Sequence, residues 1–213
     1  MDAAPSIPRA RAWAVWADAW QDPRFRIRLV LTVPALVAVL ALLARFLEFA
    51  EVRAGVVLPD PVLALLPPQN LTWFTFSLIY VGIFIGVLRL ARQPRALVVA
   101  LQAYVILVLF RIAAMGVTPL EAPPGMIPLD DPLVRLFGPG KLLTKDLFFS
   151  GHTSTLFLLF LAVPGRRSKV LFLVSTLAVG IGVLWQHVHY TIDVLVAPLF
   201  AYASYRIAFV YRK

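Results

Sequence analysis

The sequence contains no cysteine and has only 3 histidines in 213 residues. The lack of cysteine excludes disulfide scaffolds, thiolate zinc sites and cysteine nucleophiles. Charged residues are also scarce, at 15% of the chain, whereas hydrophobic residues make up 61% and the mean hydropathy is +0.84. These values lie well outside the range of ordinary soluble domains, so the sequence predicts an integral membrane protein.

Six apolar runs are each close to the ~20 residues that a helix needs to cross the hydrocarbon core of a bilayer. They cover residues 28–49, 71–91, 96–115, 147–164, 169–187 and 190–209. We therefore expect an all-α, polytopic membrane protein in which residues 28–213 form one catalytic domain, a bundle of six transmembrane helices. Pro34 and Pro198 lie inside the first and last runs and predict kinks, which membrane helices tolerate.

Residues 1–27 have a different character from the six runs. Trp13, Trp16 and Trp20 recur at helical spacing close to Arg9 and Arg11, until Pro23 interrupts the pattern. A basic helix with tryptophans on one side is typical of a helix that lies in the membrane interface. We expect a short interfacial helix on the cytoplasmic leaflet, and a disordered basic tail is the alternative.

The formal net charge is +9, and the basic residues are unevenly distributed between the loops. Alternate loops carry most of them, and such a bias places those loops in the cytoplasm. This orientation explains the charge without a nucleic-acid partner. It puts both termini in the cytoplasm, and it puts the start of the fourth run, with the proline-rich loop 116–146 that precedes it, on the extracytoplasmic side. The rich loops hold Arg9, Arg11, Arg24, Arg26, Arg28, Arg89, Arg92, Arg95, Arg166, Arg167, Lys169, Arg206, Arg212 and Lys213, and the others hold Arg45, Arg53, Arg111, Arg135, Lys141 and Lys145.

The segment "WQHVHYTIDV", residues 185–194, places His189 and Asp193 four residues apart at the outer start of the last run. Residues at this spacing lie on one face of a helix and can form a hydrogen bond. A carboxylate on Nδ1 of histidine fixes the tautomer and leaves Nε2 free to attack, which makes His189 a candidate nucleophile. His187 points elsewhere on a helical turn, and we interpret it as a loop histidine at the interface.

His152 begins the fourth run, and one helix inward and one helix outward return the chain from it to His189. Three ionisable groups at one depth of a membrane favour a functional site. The helix start at Ser150 and Gly151 offers unpaired amides that suit a phosphate. One histidine would attack phosphorus and the other would protonate the leaving oxygen. Two histidines and a carboxylate are also a metal-ligand set, so a metal site stays an alternative, although Asp193 is already matched to His189.

Two motifs now resemble those of a known family. The segments "KDLFFSGHT" at residues 145–153 and "HVHYTIDV" at residues 187–194 are similar to the histidine motifs of the type 2 phosphatidic acid phosphatase superfamily, and most of all to its sphingomyelin synthase branch. The segment "VLPD" at residues 57–60 and the stretch from residue 111 to residue 126 are similar to further elements of that branch. The resemblance extends from about residue 50 to the end of the chain.

The resemblance implies a six-helix membrane fold with an extracytoplasmic site, and it implies that His189 forms a phosphohistidine, that Asp193 orients it and that His152 is the acid. No cofactor is expected. Substrate or phosphate binding is expected of Ser150, Gly151, Arg111, Lys145, Asp146 and Tyr190. Arg111 suits a phosphate because guanidinium binds it in a bidentate way. Lys145 replaces the glycine of the branch pattern, and an interfacial lysine is its alternative role.

One departure favours the synthase branch over ordinary phosphatases. The Lys-x6-Arg-Pro motif of the wider superfamily is absent, and Val183 stands where its second motif has an arginine. We therefore expect a lipid phosphotransferase that moves a phospho-headgroup from a membrane phospholipid to a lipid alcohol, ceramide or diacylglycerol. A phosphatase or phospholipase C-like hydrolase of lipid phosphates is the first alternative, and a non-catalytic lipid-binding scaffold is the second.

Overall fold

The computed structural model describes residues 12–129 and 143–210, and these residues fold into helices joined by loops. In chain order the helices are α1 (Ala12–Gln21), α2 (Pro23–Val52), α3 (Pro61–Leu65), α4 (Thr72–Leu90), α5 (Pro94–Val117), α6 (Gly151–Ala162), α7 (Arg166–Trp185) and α8 (Thr191–Val210). Five of them, α2, α4, α5, α7 and α8, are long and apolar enough to cross a membrane. The all-α membrane fold predicted from the sequence is thus confirmed.

Several expectations fall outside the described residues. The proline-rich loop 116–146 includes residues 130–142, which are not among the described residues. The basic residues Arg9, Arg11, Arg135, Lys141, Arg212 and Lys213 lie outside the described ranges as well.

The fourth predicted span is shorter than the sequence indicated. The apolar run covers residues 147–164, but α6 comprises only the 12 residues Gly151–Ala162. Ser150 caps its first turn, and Val163 takes an extended backbone just before Pro164 and Gly165. At 1.5 Å per residue α6 is about 18 Å long, less than the hydrocarbon thickness of about 30 Å. Hydrophobicity alone missed this boundary because Leu147, Phe148 and Phe149 are apolar without being helical.

The core lies between α4, α5, α6, α7 and α8, and α2 packs on its outside. Phe76, Leu156, Phe172 and Val183 belong to a buried cluster between α4, α6 and α7. A second cluster between α5, α6 and α8 is built on small residues, namely Ala103, Ala197 and Ala201, together with Val99, Leu107, Phe149 and Leu158. Small residues let membrane helices approach closely, which explains the tight packing of α5 on α8.

α1 packs where α2 and α5 begin. The Trp16 indole nitrogen donates a hydrogen bond of 2.7 Å to the Ala91 carbonyl, and Ala19, Phe25 and Val98 form a small buried cluster beneath it. Trp13 and Trp20 are exposed. The predicted helix around these tryptophans forms as α1, and Pro23, which interrupts the pattern, is the first residue of α2. The first long helix therefore starts five residues before the predicted residue 28.

The helices alternate in direction, so their ends form two opposite faces of the bundle. α2 and α5 begin, and α6 and α8 end, at the face that carries α1. The opposite face holds the ends of α5 and α7 and the starts of α6 and α8. The predicted site residues lie at this second face, which we call the histidine face.

Candidate active site

The start of α8 holds His189 and Asp193 together. Nδ1 of His189 lies 3.2 Å from Oδ2 of Asp193, and both side chains are buried. The Tyr190 amide donates to the same oxygen at 3.2 Å. Asp193 stands in the first turn of α8, where the helix dipole favours a negative charge. The contact fixes the imidazole ring and directs Nε2 away from the carboxylate.

The start of α6 meets the start of α8 through the backbone. Ser150 caps α6, since its hydroxyl oxygen accepts a hydrogen bond from the Thr153 amide at 3.3 Å. The Ser150 amide donates to the Asp193 carbonyl at 3.1 Å. This bond joins the two histidine motifs, which are almost forty residues apart in the sequence. The Ser150 hydroxyl thus stabilises the first turn of α6 by accepting from one of its amides.

His152 lies in the first turn of α6, next to His189. The two ring centroids are 6.2 Å apart, with an angle of 65° between the ring planes. The Phe76 ring packs edge-on against His152, with centroids 6.3 Å apart. The two imidazole rings are therefore edge-to-face neighbours, with the Phe76 ring beside them on the α4 side.

Arg111 brings a cation to the same place from the end of α5. Its side chain is buried, and Nη1 donates to the Phe149 carbonyl at 3.1 Å while Nη2 pairs with Asp146. A Cβ atom on Gly151 would come within 1.8 Å of Nη1. The guanidinium thus occupies the volume that any side chain at residue 151 would fill, directly beside the first turn of α6.

Asp146 holds Arg111 in position and stays ionised there. Burial raises the pKa of the Asp146 carboxyl, but the adjacent Arg111 guanidinium outweighs burial and holds the pKa below its usual value. The ion pair with Asp146 keeps the Arg111 guanidinium oriented beside the two imidazoles. It does not occupy all the hydrogen-bond donors of Arg111, since a guanidinium has five N–H groups. The remaining donors can meet phosphate oxygens.

The loop before α3 holds the start of α8, a role that the sequence did not reveal. Oδ2 of Asp60 accepts from the Thr191 amide at 2.7 Å and Oδ1 accepts from the Thr191 hydroxyl at 3.0 Å. Oδ1 also caps α3 by accepting from the amides of Val62 and Leu63. Burial raises the pKa of Asp60, but these donors outweigh it and lower the pKa. The Asp60-Pro61 pair, a helix-start signal, was the available clue.

Tyr190 is placed by the same loops. Its hydroxyl donates to the Glu121 carbonyl at 3.0 Å and accepts from the Leu58 amide at 3.2 Å, and its ring is buried. These contacts join the loop before α3, the loop after α5 and the start of α8. The predicted substrate contact of Tyr190 stays a prediction, whereas its observed contacts are with backbone groups.

Lys145 is directed toward the loops rather than toward the imidazoles. Nζ lies 2.8 Å from Oε1 of Glu121 and donates to the Arg53 carbonyl at 2.8 Å. The side-chain hydrogen bond from Lys145 is the main cause that lowers the pKa of Glu121. These contacts favour a structural role for Lys145.

His187 forms a bridge between the two loops of the histidine face. Nδ1 lies 2.8 Å from the Pro124 carbonyl oxygen and Nε2 lies 2.9 Å from that of Leu66. The residue has a φ of 56°, and the contacts of its ring are with these loop carbonyls rather than with His189. Its surroundings are those of a buried loop histidine.

The arrangement combines a carboxylate-bound imidazole, a second imidazole, a buried guanidinium and a helix start. Within residues 12–129 and 143–210, no three side chains of histidine, aspartate or glutamate are grouped to hold a metal ion. The two imidazoles, the guanidinium and the helix start are the groups needed to bind a phosphate ester, attack its phosphorus and protonate its leaving oxygen.

Comparison with known families identifies the same part of the chain. Residues 145–211 match the family model described as "PAP2 superfamily C-terminal". The matched segment contains both histidine motifs and supports the PAP2 superfamily, whose members are lipid phosphatases and phosphotransferases. No curated protein matches the chain.

Proposed function

We propose, from the superfamily match of residues 145–211 and the geometry beside it, that the chain is a membrane lipid phosphotransferase of the sphingomyelin synthase type. It moves a phospho-headgroup from a phospholipid to the hydroxyl of a ceramide or diacylglycerol. The single observation that carries the proposal is the buried His189–Asp193 pair, which lies next to His152 and close to the buried Arg111.

The first half of the reaction forms a bond between Nε2 of His189 and phosphorus. The donor's bond between phosphorus and its lipid oxygen breaks, and protonated His152 gives its proton to that oxygen, releasing the lipid alcohol. Asp193 stabilises the positive charge on the His189 ring through Nδ1. Arg111 and the first amides of α6 stabilise the negative charge on the phosphoryl oxygens.

The second half runs in reverse with a different alcohol. His152, now neutral, takes the proton from the acceptor hydroxyl as its oxygen attacks phosphorus, and the bond from phosphorus to His189 breaks. The proton balance is restored, so His152 is ready for the next donor. If water takes the place of the acceptor, the same steps release a free phospho-headgroup, which is the hydrolase alternative.

The source of the phosphate-binding cation supports the synthase branch. Val183, at the position of the superfamily's arginine, is fully buried in the apolar core of α4, α6 and α7. A cation there would lose its hydration without a partner. Arg111, which reaches the site from α5 and is held by Asp146, supplies the positive charge instead.

The proposal is tested with purified protein in vesicles that contain labelled ceramide or diacylglycerol and a phospholipid donor. Both the labelled phospholipid product and the free phospho-headgroup are measured. We expect transfer to the lipid alcohol. Free headgroup with no new lipid identifies the hydrolase, and no product with any donor supports the non-catalytic scaffold.

Variants test the mechanism in the same assay. His189→Ala and His152→Ala should each lower the transfer rate by at least ~100-fold, because a general acid or base contributes at least about that much to a rate. His187→Gln is the matched control, because its ring contacts carbonyls of the loops and not the reacting groups. Full activity in either of the first two variants contradicts the mechanism.

The sidedness of the site is also proposed, from the charge bias of the loops, to be extracytoplasmic. The chain has no cysteine, so single cysteines can report the side without background. Pro128→Cys, near the histidine face, should react with an impermeant thiol reagent added to intact cells. Arg92→Cys, at the opposite face, should react only after lysis, and the reverse pattern contradicts the orientation.

A further inference from the structure

The last turn of α2 carries an acidic residue at a place that disfavours one. Glu51 is the second-to-last residue of α2, and the C-terminal end of a helix has a partial negative charge that repels a carboxylate. The residue is half-buried, and its hydrogen-bond partners begin 93 residues further along the chain. The partners of Glu51, rather than the stability of α2, therefore explain a carboxylate at this position.

Three hydrogen bonds connect the Glu51 carboxylate to the segment that precedes α6. Oε2 accepts from the amides of Thr144 and Lys145, at 3.0 and 3.1 Å. Oε1 accepts from the Thr144 hydroxyl at 2.6 Å. Hydrogen bonds to an ionised acceptor are about twice as strong as those between neutral groups. Both carboxylate oxygens thus fix the backbone of residues 144–145.

The next residue along this backbone is Asp146, which pairs with Arg111. The pair orients a guanidinium that lies beside the first turn of α6. The position of the Asp146 carboxylate depends on its backbone, and that backbone is held one residue earlier, where the Lys145 amide donates to Glu51. Glu51 is therefore linked to Arg111 through residues 145 and 146.

The end of α2 also holds the helix that carries Arg111. Arg53 follows α2 directly, and its guanidinium donates to the carbonyls of residues 115 and 116 at 2.6 and 3.0 Å. Both carbonyls stand in the last turn of α5, about one turn after Arg111. The end of α2 thus contacts the helix of Arg111 through Arg53, and the segment of Asp146 through Glu51.

We propose that Glu51 is a positioning residue for the reaction at the histidine face, because it fixes Asp146 and, through Asp146, the guanidinium of Arg111. The inference rests on the proposed function, in which Arg111 stabilises negative charge on the phosphoryl oxygens. Loss of the three hydrogen bonds frees residues 144–145 to move, and the pair of Arg111 with Asp146 moves with them. A displacement of about 1 Å can lower the rate of a preorganised site by about 10²-fold.

The test compares Glu51→Met with Glu51→Gln in the vesicle assay, and counts labelled lipid product and free headgroup together. Methionine has a similar length but is a poor acceptor, so the rate should fall by about 10–100-fold. Glutamine should keep the rate within about threefold of wild type, because its oxygen can accept from both amides and its N–H can donate to the Thr144 hydroxyl. Wild-type rate in Glu51→Met, or an equal loss in Glu51→Gln, overturns the proposal.

Glu48→Met is the matched control, since Glu48 lies one turn earlier on α2 and forms an exposed ion pair with Arg45. It should keep the wild-type rate, and a loss equal to that of Glu51→Met would assign the effect to the charge of the helix end and overturn the proposal.

Binding of orthovanadate separates the positioning role from the proposed function, because it requires a phosphate site but no lipid transfer. Vanadate adopts the geometry of a phosphoryl group in transfer, and its binding should raise the melting temperature of the protein in detergent. At about 100 times the wild-type Kd, a tenfold loss of affinity in Glu51→Met should cut this rise by about half. An unchanged rise in Glu51→Met, or no rise in wild type, overturns the positioning role. A rise in wild-type protein that forms no product refutes the proposed function alone.

A double-mutant cycle tests whether Glu51 acts through Arg111. In an Arg111→Ala background, Glu51→Met should lower the rate little further, although it should still lower the melting temperature of the ligand-free protein. The same further loss of rate in both backgrounds indicates a merely structural role and overturns the proposal. If Glu51→Met does not fold, Thr144→Val decides, because it removes the 2.6 Å hydrogen bond and keeps the side-chain volume. It should lose part of the rate and of the vanadate-dependent rise, and wild-type values of both overturn the proposal.

Discussion

Gly151 offers the sharpest test of the phosphate site, because the effect of a single methyl group can be worked out from the geometry. In Gly151→Ala the new Cβ would lie 1.8 Å from Nη1 of Arg111 and 2.6 Å from its Cζ. Real Cβ contacts essentially never fall below 3.0 Å, so Nη1 must move by at least about 1.2 Å. Such a shift breaks the hydrogen bond to the Phe149 carbonyl or the pair with Asp146.

The displaced guanidinium can no longer meet the phosphoryl oxygens. Loss of one such preorganised donor typically lowers the rate by about 10²–10³, and we expect this loss for Gly151→Ala in the vesicle assay for headgroup transfer. Gly116→Ala is the control, because the nearest atom to its Cβ, Cζ of Phe46, is 4.0 Å away. Its activity should equal that of wild type.

A double-mutant cycle shows whether the loss passes through Arg111. In an Arg111→Ala background there is no guanidinium to displace, so adding Gly151→Ala should cost little or nothing further. If the second substitution still lowers the rate by another factor of ten or more, the glycine serves some other purpose. Full activity of the single variant would show that the phosphate does not depend on this guanidinium.

Three further predictions concern the groups around the site. Asp193→Asn should lower the transfer rate by roughly 10³–10⁴ because the carboxylate no longer orients and stabilises the His189 ring, and a variant with more than about a tenth of the wild-type rate would contradict that role. Asp60 has a lowered pKa in the folded protein, so its carboxylate stabilises the fold at neutral pH, and that contribution disappears as the pH falls through the unfolded value of about 3.9 and then the lower folded one. The melting temperatures of wild type and Asp60→Asn, measured in detergent, should therefore differ at pH ~7, and the difference should shrink as the pH falls below about 4. A difference that stays constant would contradict a stabilising, ionised Asp60. Lys145→Gln should lower the melting temperature by about 2–4 °C by removing the pair with Glu121, and leave the transfer rate within about threefold. A collapse of the rate at unchanged melting temperature would instead assign Lys145 to the substrate.

The residues of the candidate site could be grouped from the sequence because their spacing is local. His189 and Asp193 are four residues apart, and one turn of helix suffices to bring them into contact. Ser150 and Gly151 precede an apolar run, which is a helix-start signal in its own right. The shorter helix α6 was missed for a local reason too, since apolar side chains fill the buried non-helical segment 147–149 as readily as they fill a helix.

The supports of the site could not be found in this way. Asp60 contacts Thr191 across 131 residues, and Tyr190 contacts Leu58 and Glu121 across 132 and 69 residues. Such pairs depend on which loops lie side by side after the helices have packed. A predicted phosphate ligand such as Lys145 pairs instead with Glu121, because the folded chain brings the loop after α5 next to it.

By itself the sequence determined the membrane class, the helical periodicity and the types of reactive side chains, because hydrophobicity and short spacings are properties of the chain. Only the tertiary structure decided where the guanidinium of Arg111 lies, why residue 151 is glycine and how Asp60 holds the start of the last helix. The physical reason is the same in each case: a guanidinium or carboxylate finds its partners in space, and close packing fixes the volume that is left for it.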